Sequence, residues 1–107
     1  STKDEIAEGL LRAKKVKGGK KGETWMKKSG GEAAARKDFE RLAEGSEKQK
    51  LKSGDAKEMF SVPDKDGSGT KDFILRRDSG DGTTIEIQKK NKHGQMTDTT
   101  KVRYGSD

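Results

Sequence analysis

Cysteine is absent from this sequence, and histidine, proline, tryptophan and tyrosine each occur once. Without cysteine the chain can form neither a disulfide nor a cysteine–zinc site, and one histidine leaves only carboxylates to bind a metal. Hydrophobic residues make up only 25% of the chain, and no apolar run is long enough for a signal peptide or a membrane span. We therefore expect a thin hydrophobic core, no metal, no cofactor and no insertion of this domain into a membrane.

The charge of the chain is predominantly positive. Its 107 residues include 25 Lys or Arg and 19 Asp or Glu, which gives a formal net charge of +6. A surplus of this sign favours polyanions, because cations that bind a phosphate backbone release its counterions. A merely solubilising surface would have the same composition. The length fits one domain over residues 1–107, and the start at Ser1 rather than Met suggests part of a larger polypeptide.

The first part of the chain, residues 1–28, predicts a helix followed by a basic connector. Thr2 and Glu5 have the spacing of a capping box, in which each side chain satisfies an amide of the first turn. An apolar stripe at helical spacing follows, formed by Ile6, Leu10 and Ala13. Trp25 interrupts the basic connector and is expected to attach it to the core. The connector includes two candidate RNA-binding residues, Lys20 and Lys21.

A second helix is predicted at the start of residues 29–107. Ser29 and Glu32 repeat the capping-box spacing, and Gly45 is a suitable residue after the helix end. Between them lies an apolar face formed by Ala35, Phe39, Leu42 and Ala43. These residues predict a helix that packs against the remainder of the domain.

After the second helix, the apolar residues change from a helical to an alternating pattern. Four strands are predicted, over Lys57–Val62, Asp72–Arg77, Thr83–Lys89 and Thr99–Tyr104. Because short, turn-rich segments separate them, neighbouring strands should be antiparallel. The sequence thus predicts an α+β fold, with N-terminal helices packed on one face of a four-stranded antiparallel sheet.

The last two predicted strands contain the clearest candidate for a catalytic group. Alternation places Ile85 and Ile87 on one face and Glu86 on the other, with Lys101 and Arg103 on the same open face as Glu86. Either Arg76 or Arg77 would adjoin them, and the apolar run Phe73-Ile74-Leu75 leaves this choice open. A carboxylate can accept a proton from a ribose 2′-hydroxyl while cations bind the scissile phosphate. The competing interpretation is a solvated cross-strand ion pair of small energetic value.

Two other features are weaker candidates. The segment Asp64-Lys65-Asp66-Gly67 begins like an EF-hand calcium loop, but Leu75 stands where that loop needs a bidentate glutamate. We therefore interpret it as a glycine-rich turn. His93 is a conceivable general acid, although its sequence context is typical of a hairpin tip.

Four motifs occur in an order that resembles a known family. They are Asp38-Phe39-Glu40-Arg41-Leu42, Arg77 with Ser79, Thr84-Ile85-Glu86-Ile87, and Lys101-Val102-Arg103-Tyr104-Gly105. Together they resemble the C-terminal toxin domains of bacterial contact-dependent inhibition and Rhs polymorphic toxins, which are similar to the barnase, EndoU, colicin and RelE-like ribonucleases. The resemblance implies metal-independent cleavage of RNA, often tRNA, and a cognate immunity protein. It also implies secretion within a larger protein and delivery into the cytoplasm of a target cell.

The sequence and this resemblance together predict a set of roles. Glu86 is the candidate base. The candidate ligands of the phosphate and transition state are Arg77, Lys101 and Arg103. Thr84 and Tyr104 are candidates for orientation or stacking, although alternation places Tyr104 in the core. Further RNA contacts are expected from Arg76, Lys89, Lys20 and Lys21. A non-catalytic nucleic-acid-binding module and a DNA-cleaving toxin are the alternatives, and the scarcity of metal ligands argues against the latter.

Overall fold

The computed structural model describes residues 14–17, 19–52, 54–64, 66–78 and 82–106. The predicted helix that starts at Thr2 lies outside these residues. The described elements are one helix, α1 (Gly31–Leu42), and seven strands. The strands are β1 (Lys14–Val16), β2 (Glu23–Ser29), β3 (Gln49–Lys50), β4 (Ala56–Pro63), β5 (Gly69–Asp78), β6 (Gly82–Asn91) and β7 (Met96–Gly105).

The strands form one mixed sheet in the order β1-β2-β7-β6-β5-β4-β3. All neighbours are antiparallel except β2 and β7, which are parallel. The prediction of N-terminal helices on a four-stranded antiparallel sheet is therefore wrong, because the described part of the chain has a single helix and a larger, mixed sheet. Much of the predicted basic connector is β-structure, since β1 and β2 both lie within it.

The four strands predicted from alternation are confirmed as β4 to β7. Each is longer than predicted, because the hydrogen-bonded ladders extend into the polar turns; Gly69 pairs with Asn91, for example. These strands form an antiparallel meander whose faces follow the alternation of the sequence. The meander therefore supplies the framework that positions the polar residues described below.

The predicted second helix is confirmed as α1, but its start differs from the prediction. Ser29 is the last residue of β2, and Gly30 is the N-cap without a side-chain capping bond. Gly30 and Gly31 have φ angles of 105° and 61°, which glycine adopts without the steric cost of a β-carbon. These two glycines let the chain pass directly from β2 into α1, so the expected capping box of Ser29 and Glu32 does not form.

The hydrophobic core lies between α1 and one face of the sheet. Phe39 of α1 meets Phe60 of β4 edge-to-face, with ring centroids 5.2 Å apart, and Phe60 stacks on Phe73 at 4.8 Å. Further buried core residues are Ala35, Leu42, Ala43, Leu75, Ile85, Val102 and Tyr104. One sheet face is therefore covered by the helix, and the other presents a different set of side chains.

A buried polar cluster joins α1 to β2 and β7 on the core side. Asp38 Oδ2 accepts hydrogen bonds from Tyr104 Oη and Lys28 Nζ, both at 2.7 Å. Burial, together with the hydrogen bond to Asp38, raises the pKa of Tyr104 above its ordinary value. Because each partner comes from a different element, this cluster fixes the helix on the sheet.

Candidate active site

The candidate site lies on the sheet face opposite α1, which we call the polar face. Cross-strand register aligns residues of β5, β6, β7 and β2 in two neighbouring rows on this face. The first row is Ile74, Glu86, Lys101 and Trp25, and the second is Arg76, Thr84, Arg103 and Lys27. The sequence-predicted group of Glu86, Lys101 and Arg103 is thus brought to one face, away from the helix.

Glu86 lies at the centre of the polar face and is only 7% exposed. Its Oε1 accepts a hydrogen bond from Arg76 Nε at 2.8 Å, and its Oε2 accepts one from Gln88 Nε2 at 2.6 Å. Two fixed donors hold the carboxylate in one orientation. Since an ionised carboxylate has about four lone-pair sites, both oxygens keep capacity to accept a further hydrogen bond.

Arg76 connects the carboxylate of Glu86 to the segment before β4. Its Nη1 donates to Asp55 Oδ1 at 2.9 Å while its Nε donates to Glu86. Burial acts to lower the pKa of Arg76, but its hydrogen bonds with Glu86 and Asp55 outweigh this effect and raise it. Arg76 therefore remains a fixed positive charge beside Glu86.

The structure does not bring Arg77 to the polar face. Its Nη1 lies 3.6 Å from Glu32 Oε1 of α1, and its side chain is largely exposed. Of the two arginines that the sequence analysis left open as neighbours of Glu86, the structure places Arg76 there, although the phosphate role had been assigned to Arg77 and RNA binding to Arg76. Ile74, although apolar, lies on the polar face beside Glu86, which explains why alternation in this strand could not distinguish the two arginines.

Trp25 of β2 forms the far side of the polar face. Lys101 Nζ and Arg103 Cζ each lie 4.9 Å from its ring centroid, a distance typical of cation–π contacts. The indole Nε1 donates to Glu23 Oε1 at 2.6 Å, and Lys101 Nζ lies 3.6 Å from Glu23 Oε2. The hydrogen bond from Trp25, with the charge of Lys101, lowers the pKa of Glu23. The two cations are thereby gathered around one aromatic ring.

The remaining predicted site residues fall into different places. Thr84 is buried on the polar face, in register with Arg76 and Arg103. Tyr104 lies in the core on the helix side, where it binds Asp38, so it cannot stack on a ligand at the polar face. Two predicted RNA-binding lysines, Lys20 and Lys21, are exposed in the turn before β2, and Lys89 is exposed on the opposite sheet face from Glu86.

A second buried carboxylate, Asp72, lies on the polar face and was not predicted as a site residue. Its Oδ1 accepts a hydrogen bond from Ser61 Oγ at 2.6 Å, and its Oδ2 accepts one from Lys90 Nζ at 2.7 Å. Gln88 was also missed as a site residue, and the expectation that Trp25 attaches the basic connector to the core is wrong, because Trp25 lies on the polar face while Met26 packs against the core. Their alternation with core residues was the available signal, but for Trp25 it required recognition of β2 as a strand.

The two weaker candidates lie at hairpin ends. Asp66 Oδ1 accepts a hydrogen bond from the backbone N–H of Ser68 at 2.9 Å, and the Ser68 hydrogen bonds lower the pKa of Asp66. His93 is exposed in the turn between β6 and β7, as the sequence predicted. Across the described ranges, no group of three or more His, Asp or Glu side chains is placed to bind a metal ion. No helix within those ranges has the length and apolar character needed to cross a membrane.

Comparison of the chain with protein-family models, with curated proteins and with solved structures finds no match. The site is consequently defined by its geometry alone. It is a shielded carboxylate, held by an arginine and a glutamine, on the sheet face opposite α1, which also carries lysine, arginine and tryptophan.

Proposed function

We propose that this chain is a metal-independent endoribonuclease domain of a bacterial toxin, with Glu86 as the general base. The observation that supports this most strongly is the position of Glu86 on the polar face, held by Arg76 and in register with Lys101. General-base chemistry needs a positioned carboxylate, and phosphoryl transfer needs cations where charge develops. The polar face offers both within neighbouring strands.

The reaction assigned to this site is attack by a ribose 2′-oxygen on the adjacent phosphorus. Glu86 accepts the 2′-hydroxyl proton as the new oxygen–phosphorus bond forms. The bond from phosphorus to the 5′-oxygen breaks, and that oxygen takes a proton from water, leaving a 2′,3′-cyclic phosphate. Arg76, Lys101 and Arg103 stabilise the charge on the phosphate oxygens, so Arg76 takes the role that the sequence had assigned to Arg77.

The biological part of the proposal rests on the resemblance of the four motifs to polymorphic toxin domains. On this proposal the domain is secreted within a larger protein and acts in the cytoplasm of a target cell. Structured RNA, tRNA above all, is its substrate, and a cognate immunity protein neutralises it. The net charge of +6 favours such a polyanionic substrate.

Replacement of the base provides the direct test. Glu86→Gln preserves the shape of the side chain but removes its ability to accept a proton, and RNA cleavage should fall by at least about a hundredfold. Glu58→Gln is the matched control, because Glu58 is also a buried strand glutamate paired with an arginine, Arg36, but on the helix side. Both variants lose an ion pair, and only Glu86→Gln should lose cleavage.

The assay should sequence RNA ends after expression of each variant in bacteria. Each expression is done with and without the downstream gene, which is the candidate for the immunity protein. Cyclic-phosphate ends that appear with wild type and with Glu58→Gln, and disappear with Glu86→Gln, would support the proposal. Wild-type levels of cleavage by a folded Glu86→Gln protein would refute the assigned base.

A non-catalytic nucleic-acid-binding module is the second candidate. Both oxygens of Glu86 accept hydrogen bonds from Arg76 and Gln88. A glutamate with a purely structural role would have the same hydrogen bonds, and this favours the second candidate. In that case the wild-type protein would bind RNA without cutting it, and Glu86→Gln would bind equally well.

A further inference from the structure

Trp25 lies in the same cross-strand row as Glu86, with Lys101 between them. Adjacent strands are about 4.8 Å apart, so the backbones that carry Trp25 and Glu86 are separated by about 10 Å. One nucleotide can therefore lie at Trp25 while a neighbouring one reaches Glu86. The aromatic ring and the carboxylate belong to one cross-strand row of the polar face.

The indole ring is fixed in position before any ligand arrives. Its Nε1 donates to Glu23 Oε1 at 2.6 Å. A β-carbon added at Gly19 would lie 2.9 Å from the ring carbon Cδ1, so the backbone at Gly19 lies close to that ring atom. A ring already held in one orientation loses little conformational entropy when another planar group stacks on it.

The surroundings of Trp25 suit a nucleotide better than an uncharged aromatic ligand. Lys101 and Arg103 lie close to the ring and can neutralise the phosphate attached to a stacked base. Nucleobases stack on aromatic rings and on guanidinium planes in proteins that bind single strands. A duplex would keep its bases paired and would not present one to the ring.

From these observations we infer that Trp25 is a stacking platform for one base of a single-stranded RNA segment whose adjoining phosphodiester lies at Glu86. This inference rests on the proposed ribonuclease function, which supplies RNA as the ligand, and adds the position at which one base binds. Stacking tolerates every base because each has a π-face, so the platform should favour unpaired loops without selecting one sequence.

The fluorescence of Trp25 provides the test, because the chain contains a single tryptophan. The probe is a short 2′-O-methyl oligoadenylate, which lacks the free hydroxyl needed for cleavage, and an abasic strand of equal length is its control. The oligoadenylate should quench Trp25, whereas the abasic strand should bind about tenfold more weakly, without quenching. Equal quenching by both strands, or binding of the oligoadenylate without quenching, would overturn the inference.

Substitutions give a second measurement, by anisotropy of the labelled oligoadenylate. Trp25→Leu should weaken binding about tenfold, and Trp25→Phe should retain most of the affinity. The control is Met96→Ala, which removes an exposed apolar side chain elsewhere on the sheet. An unchanged affinity in a folded Trp25→Leu protein would contradict the platform, and the wild-type quenching comparison decides the matter if that variant does not fold.

Failure of the platform is separable from failure of the nuclease. Base-dependent quenching without cleavage of unmodified RNA would support the platform and refute the ribonuclease. Cleavage that depends on Glu86, without base-dependent quenching, would support the ribonuclease and refute the platform.

Discussion

Arg76 and Arg77 are consecutive in β5 but lie on opposite faces of the sheet. Arg76 Nε donates to Glu86 Oε1 at 2.8 Å, whereas Arg77 Nη1 lies 3.6 Å from Glu32 Oε1 of α1. Their side chains have the same chemistry and almost the same position in the chain. They therefore form a natural pair of variants that differ in sheet face and in burial.

Arg76→Ala should lower RNA cleavage by at least about a hundredfold, because it removes a cation that orients Glu86 and faces the phosphate. Arg77→Ala should leave cleavage within about twofold of wild type, since exposed ion pairs contribute little. Single-turnover rates on the same RNA, with thermal unfolding to confirm folding, provide the measurement. A larger loss for Arg77→Ala than for Arg76→Ala would indicate that the phosphate binds on the helix side of the sheet, which would contradict our proposal.

Lys101 should contribute directly to the salt dependence of RNA binding. For single strands, each phosphate contact contributes about 0.7 to the slope of log affinity against log salt, so Lys101→Ala should reduce that slope by about this amount. Lys37→Ala, which removes an exposed lysine from α1 on the other side of the sheet, should leave the slope unchanged. Equal slopes for all three proteins would exclude Lys101 from the interface.

Tyr104 should make the folded protein less stable at alkaline pH. Because burial and Asp38 raise its pKa, the native state keeps a phenol proton that the unfolded chain loses near pH 10. Its contribution to stability is therefore complete below pH 10 and decreases as the pH rises above it. The chain has one tyrosine, so phenolate absorbance should appear only with unfolding; Tyr104→Phe should remove this part of the pH dependence. A phenolate signal near pH 10 from folded protein would contradict the buried position.

Gly69, the first residue of β5, should be less replaceable than Gly67 in the hairpin turn before it. A β-carbon there would overlap the carbonyl oxygen of Lys90, so Gly69→Ala should lower the free energy of unfolding by about 2 kcal/mol or more. Gly67→Ala meets no atom within 4 Å and should cost about 1 kcal/mol, because its φ of 72° disfavours a side chain. Urea denaturation compares the two, and equal losses would mean that the backbones at Gly69 and Lys90 can separate easily.

Much of the meander could be predicted from sequence because most of its strands, β6 and β7 above all, alternate between apolar and polar residues. Ile85 and Val102 face the core, and that alternation placed Glu86 and Lys101 together on the other side before any coordinates were known. Short connections made the antiparallel order equally predictable. Local pattern was sufficient wherever the pairing partner was the next strand in the chain.

The rest depended on pairing between distant segments. Strand β2 contains Trp25 and Met26 among lysines, so its apolar signal is short, and its parallel partner β7 lies at the other end of the sequence. The choice between Arg76 and Arg77 failed for another reason: Ile74 is apolar on the polar face, which conceals the alternation. Position within the assembled sheet, and not residue type, decided both cases.

The parallel pairing of β2 with β7 also sets when the polar face can be completed during synthesis of the chain. Trp25 leaves the ribosome before α1 does. The strand that carries Lys101 and Arg103, β7, is the last of the described strands to be translated. Contacts between such distant segments form late, because closing a long loop costs entropy before any contact compensates it. A nascent chain that has already folded its helix and most of its hairpins therefore still lacks the complete polar face, since Lys101 and Arg103 have not yet been translated.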